Sequence, residues 1–164
     1  MAAPRFVPLR VFSAYTMLEG AIDPKALPGQ ARALGFPAAA ITDRNGLYAA
    51  MAFSEAAAKK GIQPIIGTLL GVARPPRAGD EDKPPLLDWL ALYAQDETGY
   101  GNLCKLVSAA HLDRPLTEEP HVPLAAFEGL SDGLIALTAA GEGALARLLA
   151  DEQAGAAAAY ADRL

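Results

Sequence analysis

The sequence predicts an α/β fold, read as a distorted (β/α) barrel that is incomplete within this chain. Three observations predict it. Short apolar runs rich in β-forming residues alternate with stretches of helix formers. The first three runs and two helices fit into about seventy residues, with connections of a few residues, as parallel βαβ units require. The strand–helix pattern then stops on Arg163-Leu164, with no glycine or proline closing the last helix, which fits part of a barrel better than a finished sheet.

Phe6 to Val11 reads as the first strand and Ser13 to Gly20 as a loop. Asp23-Pro24 starts a helix, with Asp as N-cap and Pro at the first helical position, and Gly35 stops it after Leu34. Pro28 disturbs that helix. Ala38 to Thr42 is a short buried strand, and Asp43-Arg44-Asn45-Gly46 is a turn. Leu47 to Lys60 is a helix closed by Gly61, with Lys59-Lys60 suited to the negative end of its dipole. Ile62 to Val72 is the third strand.

Arg74 to Pro85 is polar and proline-rich, and is expected to be an exposed loop. Leu86 to Ala94 is the fourth strand. Gly99 to His111 is a helix with Leu103, Leu106, Val107 and Ala110 on its apolar face. Leu112 to Pro123 is a second proline-containing loop, and Gly133 to Thr138 the fifth strand. Gly143 to Ala150 and Asp151 to Leu164 are helical. The whole of 1–164 is read as one domain, the N-terminal fragment of a longer protein.

Composition excludes several classes. Apolar residues make up 52% of the 164 and charged residues 20%, enough for a core and too apolar for intrinsic disorder. A net charge of −5 provides no global field for DNA or anionic lipid. No signal-peptide core and no membrane-spanning run is present, and the single Cys104 fits a reducing cytoplasm.

In parallel α/β folds, function gathers at the carboxyl ends of the strands. The polar residues there are Arg10, Ser13, Glu19, Asp43, Arg44 and Asn45, with neither imidazole nor thiol among them. Transition metals want such ligands, so a transition-metal site is poorly supported. His111 and His121 read as surface or half-buried residues, and Cys104 as a small core residue. Phosphate-binding glycine loops and nucleophile elbows are missing.

The block from Phe6 to Gly20, FVPLRVFSAYTMLEG, resembles the opening of the alpha subunit of bacterial DNA polymerase III, which begins with a PHP (polymerase and histidinol phosphatase) domain. Ala40-Ile41-Thr42-Asp43, Gly61 to Gly67, the Tyr100-Gly101-Asn102-Leu103 helix and Gly133 to Thr138 follow in matching order. The resemblance covers nearly the whole chain and implies a PHP-type barrel.

It also implies where metal ligands would lie, and there the sequence departs. The family's His-x-His falls on Arg10 and Phe12, and a further histidine on Pro8. Its Asp-His falls on Asp43-Arg44, and a bridging glutamate on Leu69. Only Asp43 and Glu19 remain as potential ligands. The metal site is therefore expected to be degenerate, with no catalytic residue, no metal and no cofactor in this chain. Magnesium is implied only for the parent polymerase. Arg10 and Arg44 are expected to hold Asp43 and Glu19 in a guanidinium–carboxylate cluster that closes the cleft.

The expected function is that of a non-catalytic structural and interaction domain of the alpha subunit, itself a DNA-directed DNA polymerase. The implied partners are the rest of that subunit, the proofreading exonuclease subunit, and DNA through the parent. A cytoplasmic location and no membrane partner are expected. An incomplete barrel would expose an edge, so self-association is expected too. Two alternatives stay open: a metal-dependent phosphoesterase or proofreading nuclease with unrecognised ligands, and an anion-binding α/β domain using Arg10 and Arg44.

Overall fold

From Leu27 to Ala73, alternating apolar runs and glycine stops organise the chain in the expected helix–strand–helix–strand order. The structure is a computed structural model, and it describes residues 6–75 and 85–164. Helix α1 (Leu27–Ala33) precedes strand β1 (Ala38–Ile41), helix α2 (Ala50–Lys60) and strand β2 (Gln63–Ala73). Residues Asp23 to Ala26 form a turn before α1, in which Asp23 Oδ1 accepts from the Lys25 amide at 3.0 Å. Because α1 begins at Leu27, Pro28 lies in its first turn, where the missing N–H has no helical partner to lose. Gly61 closes α2 in the left-handed region at φ 65°. Strands β1 and β2 pair in parallel, Ala38 opposite Gln63 and Ile41 opposite Ile66.

The second half departs from the parallel expectation. Strand β3 (Leu87–Ala94) pairs antiparallel with β2 over Gly67–Ala73, and β5 (Leu134–Leu137) pairs antiparallel with β3. No helix separates β2 from β3 among the described residues, and a parallel return needs a crossover. Helix α3 (Glu97–Leu112) follows β3, and its N-cap Asp96 accepts from the Gly99 amide at 2.8 Å. The short β4 (Val122–Pro123) runs parallel to the end of β2. The chain finishes in α4 (Ala144–Ala150) and α5 (Ala154–Ala161). Strand order is β1-β2-β3-β5, with β4 on β2, and the sheet is open.

One further expectation is corrected. Phe6 to Val11 is not a strand. It lies beside β1, but the Ala40 and Thr42 amides, two residues apart, donate to Pro8 and Val11 carbonyls three residues apart. The Val11 amide donates instead to Thr42 Oγ1 at 2.9 Å, so a bulged, proline-containing segment replaces a ladder. The expected exposed loop 74–85 falls outside the described residues except at its ends, and at one end Arg74 turns inward. It donates to both oxygens of the buried Asp88 at 2.8 and 2.9 Å.

The alternation of β3 divides the core. Leu90 and Leu92 face a cluster with Leu70, Leu103, Leu106 and Leu148. Ala91, Tyr93 and Trp89 face the other side with Leu69, Ala40 and Phe12. A third cluster joins α1, β1 and α2 around Phe53. Among the described residues no helix is long and apolar enough to cross a membrane.

Candidate functional site

The carboxyl end of β1 delivers Thr42, Asp43, Arg44 and Asn45 to one end of the sheet. Backbone bonds of Asp43 and Asn45 with Leu69 continue the β1 ladder along β2. The loop from Ser13 to Gly20 lies over this end, and Gly20 is required there because a Cβ would sit 1.9 Å from the Ser13 carbonyl oxygen.

Asp43, 2% exposed, organises that loop. Its Oδ1 accepts from the Ser13 amide at 2.7 Å and from Thr16 Oγ1 at 2.8 Å, and its Oδ2 accepts from Ser13 Oγ at 2.8 Å. Both carboxylate oxygens are thus engaged by neutral donors, which is how a buried carboxylate is satisfied without a counter-ion. Asp43 was expected to face a guanidinium. It faces Ser13 and Thr16, which leaves the ion pairs to other carboxylates.

Arg44 Nε donates to Glu19 Oε1 at 2.8 Å, and its Nη2 donates to Glu19 Oε2 at 2.8 Å and to Glu142 Oε1 at 2.7 Å. The Arg44 guanidinium carbon lies 4.4 Å above the Trp89 ring and 5.2 Å from Phe12. Its remaining nitrogen, Nη1, is buried with no hydrogen-bond partner among the described residues, and the ring faces lie against the guanidinium there. Arg10 pairs with Glu142 Oε2 and also lies over Phe12, at 5.4 Å. Hydrogen bonding by Arg44, with the added attraction of Arg44 and Arg10, lowers the Glu19 pKa below its ordinary 4.5 despite some desolvation.

The expected cluster therefore exists with a different membership. It joins Arg10, Arg44, Glu19 and Glu142, and two cations balance two anions. Phe12 forms its floor with Trp89. Leu69, at the place of the bridging glutamate, is fully buried beneath, and Pro8 is half-buried in the segment along β1. Sequence reasoning missed Glu142 and Trp89. Glu142 follows the fifth strand by five residues, in a 3-10 turn after Ala139 and Ala140 take positive φ. A wider reading of that strand's carboxyl end would have included it.

The histidines lie elsewhere. His111 Nε2 is 2.6 Å from the Asn45 carbonyl oxygen. His121, expected at the surface or half-buried, is 7% exposed and its Nδ1 meets Arg114 and the Glu119 carbonyl. Cys104 is half-buried beside Tyr100 rather than in the core, because it lies off the Leu103–Leu106–Ala110 stripe. Asn45 ties the strands together: its Oδ1 accepts from the Gly71 amide and its Nδ2 donates to the Pro120 carbonyl, both at 2.8 Å.

Comparison with known proteins agrees with the resemblance in the sequence. A DNA polymerase III subunit alpha of Caulobacter vibrioides (strain NA1000 / CB15N) is 40% identical over 148 residues, covering 88% of this chain and 13% of the relative. An error-prone DNA polymerase of Anaeromyxobacter sp. (strain K) is 38% identical over 160 residues, 89% of this chain and 13% of the relative. The chain thus spans about an eighth of the length of these curated relatives. An amidohydrolase structure from Chromobacterium violaceum is similar at 18% identity, with a TM-score of 0.48 over 64% of this chain and 33% of the other. The PHP domain family matches residues 8–164, and this chain belongs to it.

Proposed function

We propose that this chain is a non-catalytic structural and interaction domain of a DNA polymerase III alpha-type subunit, with an ion-paired aromatic plug in place of a metal centre. One observation carries the reading: Arg44, held by Glu19 and Glu142 and stacked on Trp89. Metal-assisted phosphoester hydrolysis needs clustered cations that ionise a bound water. A guanidinium does not do so, and carboxylates already bonded to guanidiniums are poor ligands.

The donor chemistry does not fit the metal ions that the family implies. Asp43 is engaged by Ser13 and Thr16, and Arg10, Phe12, Arg44 and Leu69 offer no lone pair to a cation. Among the described residues no three His, Cys, Asp or Glu side chains gather. Charge balance in the cluster also speaks against the anion-binding alternative, since Arg10 and Arg44 already have carboxylate partners.

As a reading of the parent, the domain supports the polymerase portion of a longer cytoplasmic polypeptide and offers a surface to its proofreading exonuclease. DNA contact then belongs to the parent. The test is elemental mass spectrometry after dialysis against zinc and manganese, with a phosphoesterase assay on the same sample. Less than about a tenth of a metal per chain and no turnover is the expected result, because imidazole and free carboxylate ligands are lacking. Near-stoichiometric metal with turnover that Asp43→Ala abolishes would establish the phosphoesterase reading instead.

A further inference from the structure

Among the described residues, five other than glycine take positive φ: Leu18 at 71°, Asn45 at 47°, Ala139 at 54°, Ala140 at 49° and Glu152 at 58°. Four of these five adjoin the ion-pair cluster. Leu18 precedes Glu19, Asn45 follows Arg44, and Ala139-Ala140 lead into Glu142. Asparagine accepts the left-handed region through local hydrogen bonds, whereas leucine and alanine bring Cβ too close to the following carbonyl. Each carboxylate that Arg44 holds is thus presented by a strained stretch of backbone.

Such strain persists only where the surroundings enforce it. Side-chain packing does not enforce it at Leu18, which is 107% exposed, or at Ala140, which is also exposed. Asp43 pins the root of the first loop at Ser13 and Thr16, ahead of the strained residue. The arm beyond is held by the Glu19 bonds to Arg44 and by the Gly20 amide, which donates to the Thr16 carbonyl at 2.8 Å. On the other side, Glu142 accepts from Arg44 and pairs with Arg10. One guanidinium therefore opposes the strain of both stretches. Its own Nη1, buried without a hydrogen-bond partner among the described residues, would meet water if the cluster opened.

We infer that Arg44 is a latch under tension, through which the Leu18–Gly20 arm and the Ala139–Glu142 turn open and close as one unit. Local opening commonly proceeds in cooperative units that are continuous along the chain. Here two segments far apart in sequence are joined through a side chain, so strain in either works against the closure of both.

Native-state hydrogen exchange, read by mass spectrometry on peptides covering residues 13–20 and 138–143, tests this. Leu18→Gly and Ala140→Gly each relieve one strained residue at an exposed position. Each should slow exchange about two- to fivefold in both segments, the left-handed penalty being offset in part by the freedom of glycine in the open form. In an Arg44→Ala background the cross effect should vanish, while each glycine still protects its own segment. Glu142→Ala frees the turn but keeps the Glu19 pair, and should abolish the cross effect likewise if Arg44→Ala does not fold. Glu152→Gly, at the left-handed residue away from the cluster, should leave both segments unchanged. Protection confined to the substituted segment, or cross-protection that survives loss of the latch, would overturn the inference. So would equal slowing by Glu152→Gly, which would trace the effect to global stability.

Discussion

Arg44 Nη2 and Glu142 Oε1 are 98 residues apart in sequence and 2.7 Å apart in space. With Glu19 on the same guanidinium and Arg10 on the same Glu142, they clasp the Ser13–Gly20 loop to the turn after β5. The side chains of Arg44 and Glu142 are 18% and 33% exposed, so their attraction is partly screened but not abolished. A double-mutant cycle with Arg44→Ala and Glu142→Ala should give a coupling of about 0.5–1 kcal/mol in urea unfolding. Strict additivity would mean that the clasp contributes nothing. Arg44→Lys should not restore the coupling, because an ammonium cannot make the planar, forked set of contacts.

Asp43 should matter more than any member of the clasp. Asp43→Ala leaves the Ser13 amide, Ser13 Oγ and Thr16 Oγ1 without their acceptor in a buried place. A loss of about 3 kcal/mol is expected, with faster amide exchange across the loop. A loss below about 1 kcal/mol would show that solvent replaces the carboxylate.

Acid should loosen the clasp. The Glu19 pKa is lowered in the folded chain from an ordinary 4.5, so the unfolded chain binds its proton first as pH falls. The stabilisation is complete above 4.5 and is lost as pH drops through the lower, folded value. The acid limb of the stability curve should therefore flatten in Glu19→Gln and in Arg44→Ala, and an unchanged limb would contradict the assignment. At the alkaline end, burial raises Tyr93 and Tyr160 above 10.0. The unfolded chain then loses those protons first, and stability falls as pH rises past that value.

Asp88 is 1% exposed and carries Arg74 through two bonds, with Arg147 at 3.3 Å. Asp88→Ala should cost about 3–5 kcal/mol, because it leaves the Arg74 guanidinium buried without its counter-ion. Replacing both partners, Asp88→Leu with Arg74→Met, should recover most of that loss. If the double variant is no more stable than the single one, packing rather than charge sets the cost.

Local signals made the α1–β1–α2–β2 unit legible. Gly61, the lysines before it and the apolar runs on either side are consequences of neighbours in sequence, and they survive in the fold. The strand expected at Phe6 to Val11 failed because Pro8 and a bulge prevent a regular ladder, although the segment still lies against β1. The antiparallel return of β3 had no signal that periodicity could supply, since an apolar run reads alike in either direction. Within the site, Asp43, Arg44, Arg10 and Glu19 were legible from their positions after strands. Glu142 and Trp89 were not, because their roles arise from long-range pairing and from the face on which β3 presents its ring.

Asn45-Gly46 is a dipeptide prone to spontaneous deamidation when flexible, by attack of the glycine nitrogen on the asparagine side chain. In this fold both reacting groups are restrained: the Asn45 amide spans Gly71 and Pro120, and the Gly46 N–H is donated to Thr68 Oγ1 at 3.1 Å. Chemical ageing at this bond is thereby coupled to unfolding. The deamidated fraction in a stored sample becomes a cumulative record of the time its molecules have spent open.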